Sequence, residues 1–241
     1  MLEVLRQIFM GQGHVPGGTS DDVALQPDCQ APLLCSIIRE ERIAPNQPPP
    51  VGTFFFPGAG FDGGYINDFV VAMDEAGIDS VNSVVDNMSF GTAVDALSSA
   101  FTMREDLGGL VSAQPNLNIS KQFNLVGYSY GSLVAAQTAA AYARGGNKVD
   151  NLVLVGSPIS ADFLAALIIA PNVRKVIIVN LTDQGDPIEP GMSQILLLAS
   201  SFELAYQMIA GEGHFYYAPL TPEGNARRRQ LAAQLYDAGL R

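Results

Sequence analysis

The chain has 241 residues, and its 13 Lys and Arg against 24 Asp and Glu give a formal net charge of -11. Nucleic-acid binding is excluded on that balance, because neutralising phosphates needs a basic face, and anionic membrane surfaces repel such a chain on average. The length suits one domain with a large core, and no stretch reaches the ~18 apolar residues of a membrane span.

Residues 1–50 differ in composition from the rest. The pattern of 1–10 fits a short amphipathic helix. Glu3 and Arg6 interrupt it, so it lacks the sustained apolar run of a signal peptide, and a cytoplasmic location is the expectation. Residues 11–22, with His14, read as loop, 33–38 as an antiparallel edge strand, and Asn-Gln-Pro-Pro-Pro at 46–50 as a stiff connector. Cys29 and Cys35 are expected as two reduced thiols, with a local disulfide as the alternative if the protein is exported. No Cys/His cluster has zinc spacing, so neither a metal nor a cofactor is expected.

From residue 51 onward strands and helices alternate. The predicted strands are 51–56, 79–85, 122–126, 151–155, 173–180 and 206–210. The predicted helices are 64–77, 92–106, 132–144, 161–170, 192–201 and 222–239. Such alternation implies an α/β fold with a mainly parallel central sheet and helices on both faces. The strand runs are nearly all apolar, as strands buried on both faces should be, and 173–180 is the strongest β run. The Arg run 227–229 reads as a solvated face of the last helix. Only 156–160 separates the strand ending at Val155 from the next helix, and 187–213 must already hold a helix and a strand. No large inserted lid is therefore expected. The whole chain is read as a single domain, with 51–241 as its core and 1–50 as a segment of unassigned structure.

Gly127-Tyr-Ser129-Tyr-Gly131 follows a predicted strand and opens a predicted helix. A serine on such a sharp turn is held in a strained backbone geometry with its hydroxyl clear of the chain, and the helix N-terminus beneath it favours developing negative charge. The flanking glycines let strand and helix pass closely. A nucleophilic serine needs a base. With the order nucleophile, acid, base along the chain, His214 qualifies and His14 does not. The acid belongs between them, after a strand. Asp186 is the first choice, since it follows a Gly in a turn and Pro187-Ile188 returns the loop to the core; Asp183 is the second. The acid would hold His214 in the tautomer that accepts the serine proton. An oxyanion site would take the Tyr130 amide and an amide of the Gly-rich loop 57–64, with Ala59 first and Gly60 second.

These motifs resemble the α/β-hydrolase superfamily, and most of all its thioesterase and lipase branches. Phe-Phe-Pro57-Gly-Ala-Gly-Phe is similar to the oxyanion loop of type II thioesterases, Gly127-Tyr-Ser-Tyr-Gly to the elbow of fatty-acid-synthase thioesterase domains, and Gly213-His214-Phe-Tyr to their Gly-His-Phe segment. The resemblance spans about residues 50–241. It implies Ser129 as nucleophile, Asp186 as acid, His214 as base, and the Ala59 and Tyr130 amides as oxyanion donors. Several thioesterases carry the acid after an earlier strand. Here that loop holds Asp162, which reads better as a first-turn residue of the next helix. Gly58, Gly60, Phe61, Tyr128 and Phe215 are expected around an apolar acyl pocket, with Tyr65 and Tyr130 nearby. The implied activity is hydrolysis of apolar acyl esters or thioesters. A lipase on membrane lipids, a thioesterase serving an acyl carrier protein, and a binding protein without turnover are the alternatives.

Overall fold

The computed structural model describes residues 51–58, 64–84, 122–192 and 212–241. The expectations for 1–50, 92–106, 193–201 and 206–210 lie outside them.

Five strands form one sheet: β1 (Gly52–Phe56), β2 (Val81–Ser83), β3 (Phe123–Tyr128), β4 (Asn151–Val155) and β5 (Val176–Val179). Every pairing is parallel, and the spatial order is β2-β1-β3-β4-β5. Four helices accompany it among the described residues: α1 (Gly64–Glu75), α2 (Tyr130–Arg144), α3 (Ala161–Ile169) and α4 (Pro222–Asp237). The chain moves outward from β1 to β2, then returns to the other side of β1 with β3. The carboxyl ends of β1 and β3 therefore flank the point where strand order reverses, the usual ligand crevice of an open parallel sheet.

Side chains alternate across each strand and build two cores. Phe54, Phe56, Leu125 and Leu152 pack with Leu133, Val134 and Tyr142 of α2 on one face. Phe55, Val126, Tyr128 and Val153 pack with Phe69 of α1 and Leu231 and Leu235 of α4 on the other. β1, β3 and β4 are buried at every position, as their unbroken apolar runs require. Three polar residues inside these strands bond in a row: the Asn151 amide donates to Asn124 Oδ1 at 2.7 Å, and the Asn124 amide donates to Thr53 Oγ1 at 3.0 Å.

Helix starts follow local chemistry. The Ser160 side chain accepts the Phe163 amide at the start of α3, and Thr221 accepts the Gly224 amide before Pro222 opens α4. α2 begins at Tyr130, two residues before the expected start, because Ser129 itself ends the turn.

Three sequence expectations change. β2 is shorter than 79–85. β5 is shorter than 173–180 and, though richest in β-branched residues, is only half-buried, with Ile178 exposed; among the described residues it is the outermost strand on its side. β-branched composition reports strand propensity, not depth in the sheet. The third concerns the Arg run 227–229. Arg228 is fully buried, Arg227 is half-buried, and Arg229 is exposed, paired with Glu75. The Arg228 guanidinium donates to the carbonyls of Tyr217 and Pro219, to Asn225 Oδ1 and to Asp68 Oδ2. A buried cation requires such partners, and although its Nε has none, the four bonds of the two terminal nitrogens tie α4 to α1 and to the segment that follows His214.

Candidate active site

Gly127, Ser129 and Gly131 form the link from β3 to α2. Ser129 has φ 56 and ψ -130, a left-handed geometry that costs a non-Gly residue of order 1–3 kcal/mol. The surrounding packing leaves no alternative. A Cβ on Gly127 would lie 2.2 Å from Ser132 Cα, and one on Gly131 would lie 2.2 Å from the Phe56 carbonyl oxygen and 2.3 Å from that of Pro57. Both glycines are thus demanded by the close passage of α2 over the ends of β1 and β3. Gly131→Ala is expected to destabilise the protein by about 3 kcal/mol or more, since backbone atoms must move; chemical denaturation measures this as a lower midpoint at an unchanged slope.

The turn points Ser129 at His214. The distance from Ser129 Oγ to His214 Nε2 is 2.6 Å. The other ring nitrogen, Nδ1, lies 2.8 Å from Asp186 Oδ2. Because the Asp186 carboxylate accepts at Nδ1, that nitrogen carries the proton, Nε2 is the acceptor, and the Ser129 hydroxyl donates to it. His214 and Asp186 are buried, whereas Ser129 keeps partial contact with solvent.

Each partner is held by its own turn. Asp186 follows Gly185, which adopts φ 87, and Asp186 Oδ1 accepts the Ile188 amide at 2.9 Å. One carboxylate oxygen is thus fixed by backbone and the other is left for the histidine. His214 sits in a 3-10 turn, Gly213–Phe215, whose Gly213 has φ 57. The Phe215 ring stands edge-on to the imidazole, with centroids 5.4 Å apart. Asp183 and Asp162 are both exposed, and Asp162 occupies the first turn of α3.

Gly58, at the end of β1, lies against the serine: a Cβ there would be 3.0 Å from Ser129 Cβ. Its amide donates to the Tyr65 hydroxyl at 2.9 Å, which links the two sides of the 59–63 segment. Burial pushes the Tyr65 phenol well above its ordinary pKa, so it stays protonated. Ala59, Gly60 and Phe61 lie outside the described residues. Tyr130 is the first residue of α2, which sets its amide at the positive end of that helix. Tyr128, expected on the pocket wall, is fully buried beneath His214, and its hydroxyl donates to the His214 carbonyl at 2.7 Å. Period-two alternation from Val126 carries Tyr128 to the core face of β3.

Sequence reasoning missed Gly156. It follows β4 directly with φ 51, and a Cβ there would lie 3.3 Å from Asp186 Oδ2 and 3.6 Å from His214 Cε1. A glycine immediately after a buried strand was the available signal.

A family model described as alpha/beta hydrolase fold matches residues 99–177, a span that includes β3, Ser129, α2 and β4. No curated protein and no solved structure matches the chain. No described helix is long and apolar enough to cross a membrane. With the parallel five-stranded sheet of the described residues, the serine at the strand–helix turn and this family match, the chain has the α/β-hydrolase fold.

Proposed function

We propose that this protein is a serine acyl hydrolase acting on carboxylic esters or thioesters of apolar acyl groups. The observation that carries the reading is the continuous hydrogen-bonded chain from Ser129 Oγ through both ring nitrogens of His214 to Asp186, at 2.6 and 2.8 Å. Ser129 Oγ attacks the acyl carbonyl while His214 Nε2 takes its proton. Asp186 stabilises the imidazolium that forms. The imidazolium then protonates the departing alcohol or thiol, leaving an acyl-Ser129 ester. A water deprotonated by His214 attacks that ester and releases the acid and free Ser129. The Tyr130 amide, aided by the dipole of α2, and the Ala59 amide hold the oxyanion in both tetrahedral intermediates. Partial solvent contact at Ser129, the end of a hydrogen-bonded chain whose other two members are buried, supports entry of the acyl carbonyl at the serine.

The substrate side is an apolar acyl donor, either a free lipid or small ester or a chain presented by an acyl carrier protein. Turnover of nitrophenyl esters of increasing acyl length, compared with acyl-CoA and emulsified lipid, tests it. Acyl-ester turnover that saturates with substrate is expected, and the ratio of the last two substrates separates the thioesterase and lipase forms. No turnover of any acyl substrate contradicts the proposal and favours a binding protein.

A further inference from the structure

We infer that Tyr128 is a positioning residue for His214, whose hydroxyl substitutes for a missing rung of the turn that carries the imidazole. Backbone bonds in this turn run from the Phe215 amide to the Glu212 carbonyl, from Tyr216 to Gly213 and from Ala218 to Phe215. The intervening pair, the Tyr217 amide and the His214 carbonyl, does not bond directly. The Tyr128 hydroxyl takes that carbonyl instead, donating to it at 2.7 Å. The His214 carbonyl is thereby satisfied in a fully buried setting, where an orphaned carbonyl is costly.

This bond fixes the backbone of the residue that holds the ring. It also refers the ring to β3, because Tyr128 immediately precedes Ser129. Nucleophile and base are thus set by adjacent residues of one strand end. The Tyr128 ring is itself fixed among Phe69, Tyr65 and Tyr217, with centroids 6.0–6.1 Å away, and lies within 22° of parallel to the imidazole. From the far side, Arg228 holds the Tyr217 carbonyl and Arg227 the Tyr216 carbonyl. The turn is therefore anchored on both flanks, and Tyr128 supplies an anchor at the His214 backbone itself.

Tyr128→Phe removes the oxygen and keeps the ring. The Tyr217 amide can then close on the His214 carbonyl, tightening the turn and rotating the imidazole away from Ser129. Displacement of a reacting group by about 1 Å costs on the order of 100-fold in rate. The test is the rate of Ser129 phosphonylation by a fluorophosphonate as a function of pH, with the His214 Nδ1–H proton resonance recorded in parallel. A folded variant whose rate falls about 10- to 100-fold, with a displaced pH midpoint and a moved imidazole resonance, is the expected result. A folded variant with wild-type rate and resonance overturns the inference. Should the variant not fold, the Tyr128 hydroxyl proton of the unmodified protein decides: a slowly exchanging resonance, as the 2.7 Å bond to the His214 carbonyl requires, is expected, and a freely exchanging one overturns it. Only the rate readout rests on the acyl-hydrolase reading. If the unmodified protein is not phosphonylated, that reading fails, while the imidazole resonance and the Tyr128 hydroxyl exchange still judge the role of Tyr128.

Discussion

Ser129→Ala is expected to lower kcat for ester hydrolysis by about 10⁴- to 10⁶-fold, the loss seen when a nucleophile of this kind is removed. The fold should survive. Alanine accepts the same backbone volume, and Gly127 and Gly131, which make the turn possible, are untouched. The left-handed φ of 56 is imposed by packing and remains equally strained for alanine. What disappears is the 2.6 Å bond to His214 Nε2 and with it the only route from the proton acceptor to a nucleophile on this turn. Ser129 is partly solvated, so water can satisfy Nε2, and thermal unfolding should move by only a few degrees. Activity within tenfold of the unmodified protein contradicts the role given to Ser129.

Asp186→Asn is expected to reduce kcat by about 10³- to 10⁴-fold with little change in KM. The asparagine oxygen can still accept the Ile188 amide, as Asp186 Oδ1 does at 2.9 Å, so the loop should keep its shape. Its NH2 then faces His214 Nδ1 and donates to it. That reverses the tautomer: Nε2 carries the proton and meets the Ser129 hydroxyl as a donor, unable to take a proton. The same substitution at Asp183 or Asp162 should leave kcat within a factor of about two, because both are exposed and distant in role from the ring. Steady-state kinetics on the three variants separates the candidates. A large loss at Asp183 or Asp162 with none at Asp186 would reassign the acid.

The parts of this site that were legible in the sequence are those fixed by local backbone demands. Gly127 and Gly131 bracket the serine because no Cβ fits where α2 crosses the strand ends, and that demand stands in the sequence as a motif. Asp186 was legible because Gly185 supplies a positive φ at the turn before it. What was hidden depends on tertiary partners. Nothing in Arg227-Arg-Arg229 tells which of three identical side chains will be buried; the carbonyls of Tyr217 and Pro219 and the carboxylate of Asp68 decide it. Gly156 reveals its purpose only once β4 is placed beside Asp186 and His214. Tyr128 was assigned to a pocket by residue type, when the alternation of β3 already sent it inward. The exposure of Ile178 follows from the order of strands, which propensity does not encode.

The central claim is that Ser129 is a nucleophile activated by His214 and Asp186. Titration with a fluorophosphonate probe, followed by peptide mass analysis, tests it most directly. The account predicts one equivalent of label per chain, carried on Ser129, abolished in Ser129→Ala and strongly slowed in Asp186→Asn. A folded protein that takes up no label, or that carries it on another residue, contradicts the account.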